Sequence, residues 1–524
     1  MDLSRRDLLK IGAFGSAALL LPLERFTNAA APSRMPASQL PQPFTLPFTV
    51  PPTAKRVRWD QATNTDHYAM QMVQVNQSIL PGFTTATWAY RDSFGNLNPT
   101  FDVMQNRKVH VRHCNELPDH PQLGYAPPTS VHLHGSASKP QYDGYASDAT
   151  TPGNWKDYYY PNNQDARTLW YHDHGVHRTA SNVYMGLAGM YRMFDPVERA
   201  LPIPHGPYDV PLIVRDAMFD TAGQLLFDDN DHSGVYGDVI LVNGTPWPVM
   251  KVERRKYRFR ILNASISRSY QWQLDSGQPL HVIGTDGGLM PAPVAIQKFR
   301  HGVAERYEVI IDFAKYPIGK RVVLKNLSNK NNINYVNTDK VMAFDVVGPP
   351  TSFAGNKIPA VLRPDCETMT MPESAAVQSR RLDLFRENGE WTINGKTWAD
   401  VVKSNYEMVL ANPKLDDVEI WELTNLSGGW NHPLHIHLID FRILSRNGKP
   451  PLPQERGPKD VVYLGENESV RVLAKFKHQT GKYMIHCHNL PHEDHDMMGQ
   501  FMVGDGGDDP IYGDPPHPLP APPV

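Results

Sequence analysis

Four His-x-His pairs constrain this chain more than any other feature: His132-Leu133-His134, His172-Asp173-His174, His435-Ile436-His437 and His486-Cys487-His488. With 22 His among 524 residues, chance supplies about one such pair. Side chains alternate between the faces of a β-strand, so imidazoles at i and i+2 point the same way. Two pairs lie in the N-terminal third and two in the C-terminal third. A fold that joins those strand ends collects eight imidazoles on one site, and imidazole is a ligand for copper and zinc.

The same alternation sends Cys487 to the face opposite His486 and His488. Its thiolate then needs a metal of its own. His432 lies three residues before His435, His492 five after Cys487, and Met497 five further on. Two imidazoles, a thiolate and a weak thioether make a blue-copper electron-transfer site. That copper would sit back to back with the eight-imidazole cluster, one peptide link from His486 and one from His488. Zinc is the main competitor. A zinc protease helix needs H-E-x-x-H, and His492-Glu493-Asp494-His495 has the wrong spacing. A structural zinc site wants several cysteines among the ligands, and only Cys487 is so placed.

The net charge of −3 gives no sign of nucleic-acid binding. No apolar stretch reaches the roughly 20 residues of a membrane span. Ser4-Arg5-Arg6-Asp7-Leu8-Leu9-Lys10 followed by an apolar run, Ile11 to Leu23, reads as a twin-arginine signal over residues 1–31. The expected address is periplasmic or cell-surface, reached through the twin-arginine export machinery. Cys114 and Cys366 are left over, and their spacing fits either a disulfide or two separate thiols.

Short apolar runs between Gly, Pro and Asn punctuation predict an all-β chain of β-sandwiches. A Pro-rich leader covers about 32–52. The expected blocks are 40–200 and 371–505, which carry the pairs, a middle block 205–350 without any, a linker 351–370, and a Pro-rich tail 506–524, extended and mobile. The middle block is expected to be a spacer, forming one wall of a cleft.

His-Leu-His-Gly, Trp-Tyr-His-Asp-His, His-Pro-Leu-His-Ile-His and His-Cys-His-x-x-x-His-x-x-x-x-Met, complete and in order, resemble the four copper motifs of multicopper oxidases. The runs His486 to Met498 and Asn182 to Gly189 resemble bilirubin oxidases and spore-coat laccases within that family. The resemblance implies three cupredoxin-like Greek-key β-sandwich domains and four copper ions. It implies that His432, Cys487 and His492 hold a type 1 copper with Met497, not Met498, as axial ligand. It gives His132 and His435 to a type 2 copper, and His134, His172, His174, His437, His486 and His488 to a type 3 pair.

Reducing O₂ to water takes protons as well as electrons, so acids near the cluster must relay them. Asp143 and Glu493 match acidic positions that resembling oxidases use. Trp430, two residues before His432, matches a Trp where donors dock. The expected function is one-electron oxidation of a phenol, aromatic amine or tetrapyrrole, coupled to reduction of O₂, by a monomer. One rival is a metallo-oxidase for Cu(I), Fe(II) or Mn(II), with Met369 and Met371 as its candidate site if they do not simply face a core from a short strand. The other is an envelope protein that has lost its copper, which degraded ligand motifs would mark.

Overall fold

The computed structural model describes residues 33–119, 126–230 and 232–524. The signal segment 1–31 lies outside them. Six sheets are present among the described residues, two to each of three β-sandwich domains. No helix there is long and apolar enough to cross a membrane.

The three domains share a wiring that no sequence repeat announces. In each, an early strand pairs in parallel with a later one: Thr65–Gln77 with Lys108–Asn115, Asp209–Ala217 with Lys256–Asn263, and Gln378–Glu387 with Val418–Asn425. A second parallel pairing joins Phe101–Met104 to Ala188–Phe194 and Val249–Glu253 to Lys340–Gly348. In the third domain it shrinks to a single bridge, Ala411 to Phe501. Parallel neighbours need crossovers rather than hairpins, so long connections link the strands of each sandwich.

Burial patterns separate outer strands from inner ones. Phe101–Met104 alternates buried and exposed, as a strand with one wet face should. Arg167–Asp173, His432–Ile436 and Val461–Leu464 are buried throughout. They belong to the four-stranded sheets of the first and third domains, the first of which has Phe101–Met104 as its far edge strand.

The connecting segments are pinned down. Backbone bonds Phe44 N to Trp247 O and Phe48 N to Val249 O, both 2.9 Å, lay the leader on the middle domain. Leu362 of the expected linker is buried with Ile203, Ile283, Leu289 and Ile310. The tail departs from expectation: it is extended but docked. His517–Pro518 adds an antiparallel strand beside Trp155 and Asn154 of the first domain, and the Arg112 guanidinium donates to Pro522 O. Its backbone finds partners there, which a free tail would leave to solvent.

All three cysteines are free thiols, which answers the open question about Cys114 and Cys366. Met369 and Met371 do not form an alternating strand. Glu367–Thr370 is a short helix, and Met371 is buried with Val418, Ile420 and Leu473.

Candidate metal centre

Each His-x-His pair lies at the end of a strand, and strand register sets the pairs side by side. His132 opposes His172 where Val131–His134 meets Arg167–Asp173, and His435 opposes His486 where His432–Ile436 meets Gly481–Cys487. The two sheets present these ends to each other across the junction of the first and third domains. All eight imidazoles are at most 1% exposed.

They fall into three groups of three, one histidine being shared: His132, His134 and His435; His134, His172 and His488; His174, His437 and His486. Within each group the ligand nitrogens lie within 4.8 Å of one another. In the third group His486 Nε2 lies 3.1 Å from both His174 Nε2 and His437 Nε2. Reverse nitrogens are anchored. His172 Nδ1 meets Asp173 O at 2.7 Å, His435 Nδ1 meets Asp460 O at 2.9 Å, and His132 Nδ1 meets Asp143 O. Outer partners of this kind fix ring orientation at metal sites. The inward Nε2 atoms of His132, His172, His435 and His488 have no hydrogen-bond partner. Buried polar atoms are rarely left so.

On the opposite face of the Gly481–Cys487 strand, Cys487 Sγ is 3.3 Å from His432 Nδ1 and 3.7 Å from His492 Nδ1. The far nitrogens are held by Ser427 Oγ at 2.6 Å for His432, and by Ser233 O at 3.1 Å and Asn489 Nδ2 at 3.0 Å for His492. Met497 is fully buried in the same apolar cluster as Cys487. Met498 lies in a different one, with Tyr145, Trp398 and Met484. Burial pushes the Cys487 thiol above its ordinary range and His432 down to about 3. A neutral imidazole is ready to coordinate, while a thiolate here needs a cation beside it.

Asp143 and Glu493 both lie against imidazoles of the cluster. Asp143 Oδ2 lies 2.8 Å from His437 Nδ1, and burial pushes its carboxyl well above the usual range. Gly144 makes this approach possible: its φ is +73°, and a Cβ there would lie 2.6 Å from the His132 backbone. Glu493 bridges two imidazoles, with Oε2 2.8 Å from His486 Nδ1 and Oε1 3.5 Å from His174 Nδ1. Burial alone would raise its carboxyl, but His486 and His174 outweigh burial and hold it at about 2. Trp430 is half-buried, its ring 6.2 Å from that of His492.

Three multicopper oxidase family models match residues 59–197, 213–342 and 372–507. The chain belongs to the multicopper oxidases. It is 40% identical over 479 residues to a bilirubin oxidase of Albifimbria verrucaria, covering 87% of this chain and 81% of that one. A laccase of Bacillus subtilis is 32% identical over 523 residues, covering 88% and 98%. The McoA multicopper oxidase of Aquifex aeolicus superposes with a TM-score of 0.78 at 29% identity, covering 88% of this chain and 99% of that one.

The donors of this multicopper oxidase fit the family's metal. Buried neutral imidazoles with orphaned, converging nitrogens suit copper, and the lone thiolate between two imidazoles suits a blue-copper ion. Several participants escape sequence reasoning. Trp391 packs on His492 at 4.2 Å between ring centroids and on His432 at 5.2 Å. Asp460 Oδ1 lies 3.3 Å from His134 Nε2 and takes Arg306 Nη1 of the middle domain at 2.7 Å. Asp173 accepts from Ser130 N, Gly175 N and Asn182 Nδ2, fixing the turn of the second His pair. Through Arg306 and Ser233 the middle domain supports both centres and is more than the expected spacer.

Proposed function

We propose that this multicopper oxidase holds four copper ions and oxidises a small organic donor at the expense of O₂. His432, Cys487 and His492, with Met497 axial, would hold the type 1 ion. His132 and His435 would hold the type 2 ion. His134, His172 and His488 would hold one type 3 ion, and His174, His437 and His486 the other. Bound copper supplies one-electron oxidation of the donor and four-electron reduction of O₂ to water.

The observation that carries this reading is the position of Cys487. Its side chain faces His432 and His492, while its backbone neighbours His486 and His488 belong to the His cluster. Electrons taken near His432 have a covalent path one peptide long. Asp143, whose carboxyl burial favours in the protonated form, and Glu493, a carboxylate able to accept and pass on a proton, each lie against an imidazole of the cluster where O₂ reduction would consume protons. Trp391 closes the type 1 ligands from inside, and Trp430 lies at the rim where a flat aromatic donor can stack. Outer-sphere electron transfer accepts many donors, so the substrate class is phenols, aromatic amines and tetrapyrroles. A similar bilirubin oxidase and laccase support the same class. The protein would act as a monomer, exported by the twin-arginine route to the periplasm or cell surface.

A second reading, oxidation of a metal ion, has one observation in its favour. His495 stacks on His232 with ring centroids 3.3 Å apart, and Asp229 lies 3.6 Å from His495 Nε2. His232 adjoins Ser233, whose carbonyl contacts type 1 ligand His492. O₂ consumption by the copper-loaded protein with a phenol, bilirubin, Cu(I) and Fe(II) in parallel separates the two. The proposal expects the larger kcat/KM with the organic donors. A large advantage for a metal ion would replace it with the second reading.

A further inference from the structure

A cavity of about 210 Å³ lies where the leader crosses the junction of the first two domains, and none of the proposed copper ligands lines it. Val50 and Pro52 of the leader, Val183, Ile213 and Trp88 give it apolar walls. Asn243 Nδ2 donates to Thr49 O at 3.0 Å and holds the leader over it.

One charged side chain, Arg215, lines this space. Its guanidinium donates to Tyr184 O at 2.6 Å and has no carboxylate within ion-pair distance among the described residues. Four fully buried arginines are paired, Arg258 with Glu308, Arg260 with Asp209, Arg268 with Asp216 and Arg306 with Asp460, while Arg255 instead donates to Ser352 O and Ala354 O; Arg215 is half-buried. Asp216, next in sequence to Arg215, is committed to Arg268 Nε and Gly237 N, both at 2.7 Å. Burial accordingly pulls the Arg215 pKa below its ordinary value. In the same lining is a buried hydroxyl that lacks a partner. Thr87 Oγ1 lines the cavity without a hydrogen-bond partner, on a residue 2% exposed. An arginine presents five N–H donors in a planar fork that matches a carboxylate.

We propose that this cavity is a binding site for a small organic monocarboxylate, its carboxylate on Arg215 and Thr87 and its apolar body between the leader and Val183. Neither Arg215 nor Thr87 is a proposed metal ligand, although Ala188 of the lining is the strand partner of His172; the occupant is distinct from the electron donor.

Benzoate is the probe, with benzyl alcohol and benzylamine as neutral and cationic analogues of similar shape. Calorimetric titration of the holoenzyme at constant ionic strength should show saturable one-to-one binding of benzoate. Binding should be at least tenfold weaker for benzyl alcohol and undetectable for benzylamine. Arg215→Met should weaken benzoate at least tenfold, Thr87→Val severalfold, and both should leave donor oxidation unchanged. Benzoate should also raise the Tm of the wild type more than that of Arg215→Met, since a ligand of the native state stabilises it. Equal binding of benzoate and benzyl alcohol, no saturable benzoate binding in the millimolar range, or an unchanged affinity in Arg215→Met would overturn the proposal. The three-ligand comparison on the wild type decides the matter even if Arg215→Met folds poorly.

Discussion

Glu493 touches two imidazoles of the cluster through different oxygens, so under the proposed function its carboxylate would both orient ligands and relay protons. Glu493→Gln keeps the shape and removes the proton-carrying group. Reoxidation by O₂ should slow by about 10²-fold, the lower end of acid–base contributions. Reduction of the type 1 centre should change far less. Stopped-flow traces of the two half-reactions check this, and a selective loss in the reductive half would refute the relay role. Trp430→Ala should lower kcat/KM for phenols about tenfold while leaving small inorganic reductants unaffected. Unchanged organic-donor turnover would remove Trp430 from the donor site. The ligand residues are legible in sequence because a period of two writes their common face directly into the chain. Trp391, Asp460 and Arg306 are not, because each reaches the centres across tens to hundreds of residues and nothing local marks the meeting.

Two kinds of element build the centre: strands whose ends carry ligands, and turns that press acids against them. The ligand strands are predictable from alternation alone. The turn Pro140–Tyr142, which delivers Asp143, is not, because its support comes from the far end of the chain. Asp508 Oδ2 accepts from Gln141 Nε2 at 2.8 Å and Lys139 Nζ at 2.9 Å, and a Cβ on Gly513 would press on Gln141 Cβ at 3.3 Å. Composition alone made the tail beyond 505 read as mobile, because Pro and Gly do mark mobile ends where no surface receives them. Here Trp155, Arg112 and Lys156 receive it. Truncation after Gly504 should lower Tm by several degrees and slow the O₂ half-reaction, with type 1 reduction intact. An unchanged melting curve and unchanged reoxidation would show that the tail supports nothing.

Across the whole molecule, buried charge joins the middle domain to its neighbours. Arg260 donates to Asp209 Oδ1 at 2.9 Å and to Thr168 Oγ1 at 3.0 Å, and Arg258 pairs with Glu198 and Glu308. Burial alone would raise the Asp209 carboxyl, but Arg258 and Arg260 outweigh burial and hold it well below the usual carboxylate range. A depressed carboxylate contributes stability that is fully present above its unfolded pKa, near 3.9, and is lost as pH falls towards its folded value. Asp209→Asn should therefore cost about 3–5 kcal/mol at neutral pH, the usual cost of breaking a buried pair. The Tm gap from the wild type should narrow as pH drops from about 5 to about 3, and a gap independent of pH would contradict this sign. The three-domain plan is partly legible, since turn-punctuated strands and the placement of the pairs suggest it. The shared parallel wiring and the reach of the middle domain into both centres depend on packing and leave no local pattern. The central claim, that Cys487 holds one copper while the eight imidazoles hold three, is tested most directly by counting copper per chain in the wild type and in Cys487→Ser. Four ions in the wild type, and three with loss of the blue thiolate–copper band in the variant, is the predicted result. A wild type that binds fewer than four, or a variant that loses none, would contradict it.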